Sequence, residues 1–397
     1  MPKPSPRKNK DGSVSWRVQF RIGDKVLQET FPSEKGAAEF ARLVETAGGK
    51  AAREVLERRR QGATDAITLR AWTARYLDPA SGLLTGIEPG TRKGYERAAN
   101  SSFLRILGDY PVDAIQKTDV GRWLAWQETQ PSFRTPEKLI AAKTIRNYHG
   151  ILSSVLAAAV AQKIREDNPA YKTRLTKGVK REAVFLSPDE FATILYFIPK
   201  HYESLVFFLA NTGTRWGEAT AVKWGDVNSR ATPATVRIDE AWKKSETNVP
   251  VLKQPKTVKG RRTISIPNDT LAAMGERRGA DEFVFTTSVH RRRVRYQTFR
   301  DRVWLPAVAK AMNPELCEEH GLVPLIQRPT PHDLRHSHAS WLIAAGTPLP
   351  WVQARLGHEK ITTTVDVYGH LVPDSHAQMA DIIGGTLAGT RTLKQLT

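Results

Sequence analysis

Apolar and polar residues alternate strictly between Val14 and Ile22. Val14, Trp16, Val18, Phe20 and Ile22 fall on one side, and Ser15, Arg17, Gln19 and Arg21 on the other. A period of two marks a half-buried strand, here with a basic polar face. Gly23-Asp24 is a turn signal, so Lys25 to Phe31 can return as a second strand. Pro32-Ser33 then starts a helix, with Ser33 as N-cap and Ala37, Phe40, Ala41 and Val44 on its buried stripe. Arg58-Arg59-Arg60 followed by Gln61-Gly62-Ala63-Thr64 reads as a basic helix end running into a linker.

From residue 67 to 175 the period is helical. Thr68 is an N-cap candidate before Leu69, Trp72 and Tyr76, and Thr91 is one for a helix carrying Tyr95, Ala98 and Ala99. Asp113-Ala114-Ile115 and Thr118-Asp119-Val120 lead into a third helix with Trp123, Leu124 and Trp126. The longest runs from Thr144 to Ile164, with Ile145, Tyr148, Leu152, Val155, Leu156 and Ala159 on one stripe. Asn168-Pro169-Ala170 stops it. Beyond residue 180 the pattern is mixed. Ser187-Pro188-Asp189-Glu190 forms a capping box, and Leu205, Phe208 and Leu209 mark an apolar helix. Strands are predicted at Thr235 to Trp242 and Arg262 to Ile266, with an apolar segment at Phe283-Val284-Phe285 and mostly helix thereafter. This order predicts a multidomain, mainly α chain with small β-sheets (α+β). The expected divisions are a sheet-plus-helix module at 1–62, a helical domain at 63–175 and an α+β domain at 180–397.

With 397 residues there is room for about two or three domains. The charge balance is unusual: 60 Lys and Arg against 41 Asp and Glu leave a net +19. Such an excess points to a polyanionic partner, because each neutralised phosphate releases a counterion. No long apolar run or strongly amphipathic terminal helix supports a membrane partner. The one cysteine, Cys317, excludes an intramolecular disulfide framework and fits a reducing cytoplasm. Met1 to Lys10 is basic and Pro-rich with no apolar stretch after it, so no secretory signal is read there.

The candidate chemistry lies in the last half. Arg215 follows Gly213 at a helix boundary, where backbone N–H groups and a guanidinium can face one anion together. Downstream come His332-Asp333-Leu334-Arg335-His336, Leu356-Gly357-His358 and Val367-Tyr368-Gly369. On a helix, His332 and Arg335 project from the same face. Taken singly, an arginine is usually a surface ion pair and a tyrosine a half-buried core residue. In company, two arginines, two histidines and a tyrosine are the parts needed to break and rejoin a DNA phosphodiester without a metal. The arginines bind a phosphate that becomes more negative, the histidines donate hydrogen bonds or move protons, and the tyrosine attacks phosphorus. His332 and His336 are also spaced to chelate zinc. No Glu stands in the general-base place of a His-Glu-x-x-His motif, so no metal is assigned, and His336 and His338 read as packing or helix-surface residues.

At these residues the chain resembles the tyrosine recombinases, the phage-integrase family. Weaker matches in the same order occur at Thr144-Ile145, Ala157-Ala158-Ala159-Val160 and Asn168-Pro169. The resemblance implies an amino-terminal arm-type DNA-binding module, with Arg17, Gln19 and Arg21 of a β-ribbon facing a groove. It also implies a helical core-binding domain and a catalytic domain. Tyr368 becomes the nucleophile, since Leu-Gly-His, a Thr-rich stretch and then Tyr is the family's pattern; Tyr296 lacks that context. Arg215 and Arg335 clamp the phosphate, His358 adds a hydrogen bond, and His332 assists proton transfer with the tyrosine. Lys256 protonates the leaving 5′ oxygen, with Lys253 and Lys259 as competitors, and Glu218 orients Arg215. The implied activity is site-specific integration or excision of a phage or other mobile element, with no cofactor. Implied partners are double-stranded attachment sites and three further copies in a tetramer on DNA. The resemblance also admits a host DNA-bending protein and a directionality factor. The expected location is the bacterial cytoplasm, at the nucleoid. Competing readings are a chromosome-dimer resolvase or invertase, a type IB topoisomerase, and a non-catalytic DNA-binding regulator. The tail with Leu371, Val372, Met379, Ile382, Ile383 and Leu387 is expected to form a final helix that packs on a neighbouring protomer.

Overall fold

The computed structural model describes residues 2–9, 13–61, 67–133, 135–178, 181–245, 247, 249–255, 260–371 and 376–387. The chain divides near residue 180 into two compact units. The first opens with an antiparallel sheet of β1 (Ser5–Lys8), β2 (Val14–Ile22) and β3 (Lys25–Phe31), in that order. The alternation along β2 sends Val18 and Phe20 into the core and leaves Gln19 and Arg21 exposed. Arg17 is half-buried rather than outward-facing along its length. At the start of the strand the expected sides are reversed, with Val14 exposed and Ser15 buried. The neighbouring β1 has no alternation to announce it. It pairs with β2 from Ser5↔Arg17 to Lys8↔Val14, satisfying backbone groups that an edge strand would leave open. Ser33 caps α1 (Glu34–Ala47) by accepting the Gly36 N–H at 3.2 Å, and Phe40 packs edge-on against Phe20. α2 (Gly49–Gln61) follows directly.

The helices of this unit are α3 (Leu69–Leu77), α4 (Pro89–Ser101), α5 (Phe103–Ile106), α6 (Lys117–Glu128) and α7 (Ala142–Ala161). Thr68 caps α3, accepting the Ala71 N–H at 3.3 Å. Thr91 does not cap α4. That helix starts at Pro89, whose fixed φ suits the first helical position, so Thr91 lies inside it. Trp72 on α3 donates its indole N–H to the Val155 carbonyl of α7 at 2.9 Å. Sheet and helices share one continuous apolar core.

The second unit begins with α8 (Pro188–Phe197), whose capping box has both reciprocal bonds between Ser187 and Glu190. Then come α9 (Lys200–Thr212) and the short α10 (Trp216–Ala219). β4 (Val227–Asn228) and β5 (Thr235–Ile238) form a sheet with the later β8 (Arg262–Ser265), in the order β4-β5-β8. β6 (Ala241–Lys244) pairs separately with β7 (Pro250–Lys253). The single strand read at Thr235 to Trp242 is thus two strands of different sheets. It breaks at Asp239-Glu240, whose carboxylates turn to Arg237 at 3.1 Å and Lys223 at 2.9 Å. Phe283–Phe285 is not a full strand; one bridge joins Phe283 to Lys223, and Phe285 packs on Phe208.

The helices that follow, α11 (Asn268–Ala273), α12 (Tyr296–Phe299), α13 (Leu305–Ala311) and α14 (Pro314–Glu319), precede the site-bearing helices. These are α15 (Asp333–Ala344), α16 (Leu349–Leu356) and α17 (Ile361–Tyr368). The final α18 (His376–Leu387) exposes Met379, Ile382, Ile383 and Leu387. Val372 lies outside the described residues.

Candidate active site

Arg215 is the N-cap residue of α10, and Glu218 one turn later reaches back to it. One carboxylate oxygen accepts from Arg215 Nη1 at 2.9 Å, and the other accepts the Arg215 backbone N–H at 3.0 Å. That second oxygen also accepts from Arg262 Nη2 at 2.9 Å, inside the protein. Burial alone would raise the Glu218 pKa. Arg262 and Arg215 overcome it and hold the carboxyl below the usual carboxylate range. α10 can sit where it does because Gly217 has no Cβ; one placed there would lie 3.0 Å from the Trp242 carbonyl of β6. The Arg215 side chain remains 44% exposed, open to a ligand.

Arg335 is almost wholly buried on α15. Nη1 donates to the Gly213 carbonyl at 2.7 Å and Nη2 to the Leu356 carbonyl at 2.8 Å. These two bonds tie α15 to the turn before Arg215 and to the end of α16. Gly213 adopts the left-handed conformation, φ 61°, that ends α9. Burial first, and the Arg215 charge next, pull the Arg335 pKa down to about 9. The guanidinium still carries its charge at neutral pH, close to a second cation and short of counter-charge. An anion is what such a place lacks.

Gly357, also left-handed, ends α16 and turns the chain so that His358 points inward. His358 Nδ1 lies 3.0 Å from the Thr364 hydroxyl on α17. Burial, then the Arg335 and Arg215 charges, push its pKa down to about 4, so the ring is neutral at pH 7. Tyr368 is the last residue of α17, and its side chain is buried. Its hydroxyl lies 2.9 Å from His336 Nδ1, and the Phe185 ring stands edge-on to both. Burial raises the phenol pKa to about 12, against the opposing pull of Arg335 and Arg215. Both guanidiniums therefore act on the same phenol.

His332, at the start of α15, is more open to solvent, with its ring 5.1 Å from that of His336. Lys256 and its competitor Lys259 lie outside the described residues, and Lys253 is the last residue of β7. Arg17, Gln19 and Arg21 belong to the first unit.

Residues 184–374, which span this constellation, match the model of the phage integrase family. This part of the chain is a phage integrase family domain. The ICEBs1 integrase of Bacillus subtilis strain 168 is 26% identical to this chain over 284 residues, 70% of this chain and 74% of its own. The integrase of Mycobacterium phage FRAT1 is 25% identical over 311 residues, 76% of this chain and 84% of its own. The fold is also that of the Tn1549 transposon integrase solved with a circular intermediate DNA. The TM-score is 0.60 at 19% identity, with 80% of this chain and 99% of that one covered. A lambda integrase tetramer bound to a Holliday junction gives 0.53 at 18% identity, with 91% and 94% covered.

Several groups near the site carry no sequence signal strong enough to single them out. His336 adjoins Arg335 in the chain, where its pattern predicts packing; it bonds the tyrosine hydroxyl. Arg262 was read only as a strand residue, yet it bonds Glu218, the Arg355 carbonyl at 2.7 Å and the Gly260 carbonyl at 3.2 Å. Asp333 accepts from Arg181 at 2.9 Å, from Thr330 and from the Val184 N–H, which lays the segment carrying Phe185 along α15. His338 buttresses the Arg335 helix, accepting from Arg355 Nε at 2.9 Å and bonding the Ala210 carbonyl at 2.8 Å.

Proposed function

We propose that this integrase is a site-specific DNA recombinase that cuts and rejoins strands through a 3′-phosphotyrosyl intermediate, integrating or excising a mobile element. The observation that carries this reading is one phenol, Tyr368, within the electrostatic reach of two guanidiniums that are fixed from different elements. In the proposed cycle Tyr368 attacks the scissile phosphate. Arg215 and Arg335 hold the non-bridging oxygens as charge builds, and His358 adds a neutral donor. His332 and Lys256 are assigned to proton handling, Lys256 at the leaving 5′ oxygen, because an alkoxide leaves poorly. The bond energy stays in the phosphotyrosine, so the 5′ hydroxyl of the same or another strand can reverse the step.

The net charge of +19 suits a duplex partner. The sheet module at 1–62 is assigned to arm-type sites through Arg17, Gln19 and Arg21, the helices of 63–175 to core sites, and 180–397 to catalysis. Four copies acting on two duplexes are proposed by analogy with the lambda integrase tetramer. α18, with its exposed apolar face, would link neighbours. A host DNA-bending protein and a directionality factor remain proposed partners, and the bacterial cytoplasm, at the nucleoid, the place of action.

The test is a nicked suicide duplex from the gene's own flanking DNA, incubated in chelator with the wild type and with Tyr368→Phe. A covalent protein–DNA adduct is expected from the wild type alone. An adduct from both proteins would move the nucleophile elsewhere.

A further inference from the structure

Resting on that reading, we propose that His336 is the catalytic residue that takes the phenol proton from Tyr368 during cleavage and returns it during ligation. His336 Nδ1 stands 2.9 Å from the hydroxyl, hydrogen-bond distance for direct transfer. The pair is enclosed on one side by Phe185, whose ring contacts both at 6.3 and 6.4 Å between centroids. His332, the first histidine of the His-Asp-Leu-Arg motif and the ring assigned above to proton handling, abuts His336 edge-on, so in this proposal it acts on the phenol proton through His336.

The need for a base follows from the site. Burial holds the Tyr368 phenol well above neutral, so it cannot ionise ahead of attack. The charged and titratable neighbours of His336 are Asp333, Arg335 and His332 on its own helix, Arg181 from the segment before α8, and Tyr368 on α17. Burial, with Arg335 and Arg181 and against the opposing pull of Asp333, keeps the imidazole neutral at pH 7. The proposed transfer requires the tautomer in which Nδ1 accepts and Nε2 carries the ring proton.

The step balances. As the Tyr368 oxygen–phosphorus bond forms and the phosphorus–O5′ bond breaks, the phenolic proton passes to Nδ1. The 5′ oxygen takes its proton from the acid proposed at Lys256. In ligation the 5′ hydroxyl gives its proton back to that amine, and the imidazolium reprotonates the departing phenolate.

The experiment is single-turnover cleavage of the nicked duplex by the full chain, comparing wild type, His336→Phe and His336→Asn. Each is made with tyrosine or with a fluorinated tyrosine, of much lower phenol pKa, at position 368. Asparagine keeps a hydrogen-bonding group near the phenol but cannot carry the proton, which guards against a variant that merely fails to fold. Both variants are expected to cleave roughly 10²–10⁴-fold more slowly, the usual contribution of a positioned base. The fluorinated nucleophile is expected to restore most of that loss and to remove the acid limb of the wild-type pH profile. Cleavage by His336→Asn at the wild-type rate would overturn the proposal. So would a slow variant left equally slow by the fluorinated tyrosine, since His336 would then act on packing alone. Tyr368→Phe, run alongside, reports on the nucleophile independently: an adduct there would reject the phosphotyrosine chemistry itself.

Discussion

Replacing Arg262 with alanine removes a side chain that ties three parts of the site together through Glu218, the Arg355 carbonyl and the Gly260 carbonyl. The Arg262–Glu218 pair is 7% and 6% exposed, so the loss is that of a buried ion pair rather than a surface one. Removing one partner of such a pair costs about 3–5 kcal/mol. Glu218 keeps the Arg215 guanidinium and backbone N–H, which places the expected cost near the lower end, about 3 kcal/mol. For a unit of this size each kcal/mol moves the melting temperature by about 2–4 °C, so a fall of roughly 6–12 °C is expected. Catalysis suffers separately. Two guanidiniums now share one carboxylate; without Arg262 that carboxylate answers Arg215 alone, cancelling charge that the proposed cycle assigns to the phosphate. Displacement of a clamp by about 1 Å can cost on the order of 10²-fold in rate, and suicide-substrate cleavage well below the lowered melting temperature should show a loss of that size. Arg262→Lys restores the charge but not the three-way fork, so it should recover stability better than rate. If Arg262→Ala cleaves within a few-fold of wild type, the tie between Arg262 and the phosphate clamp is not part of the mechanism.

Two other perturbations probe the scaffold under the clamp. His338 is held neutral because burial and Arg355 push its pKa down to about 3. Between pH 6.5 and 3 the unfolded chain binds a proton that the folded chain does not, so stability is full above 6.5 and falls as the pH drops. The loss from this ring should reach about 2 kcal/mol at pH 5. Melting curves at pH 7 and pH 5 should converge by that amount in His338→Leu relative to wild type, and parallel curves would contradict the assignment. In Gly213→Ala the added Cβ would sit 2.6 Å from His338 Cδ2 and 2.8 Å from Leu356 Cδ2, at a residue already left-handed. The strain is about 1–3 kcal/mol before any clash. The Gly213 carbonyl also receives Arg335, so cleavage should fall with stability; a stable, fully active variant would refute the close approach.

The chain's local patterns determined a good deal unaided. Alternation along Val18 to Ile22, the Ser187–Glu190 capping box and the glycine before His358 are read within one strand or turn, and their signals are short-range by nature. The order of Arg215, His332, Arg335, His358 and Tyr368 was likewise enough to suggest phosphotyrosine chemistry. What periodicity could not carry is the identity of partners brought in from far along the chain. Arg262 meets Glu218 across 44 residues and the Arg355 carbonyl across 93, and nothing in its own strand pattern marks it. β1 pairs with β2 without any alternation of its own, and the Thr235 to Trp242 run breaks where Asp239 and Glu240 meet Arg237 and Lys223. His336 stood beside Arg335 in plain view. Only the docking of α17 against α15 decided that its ring, rather than that of His332, would face the tyrosine hydroxyl, since helix spacing fixes which way a side chain leaves the axis but not what it meets.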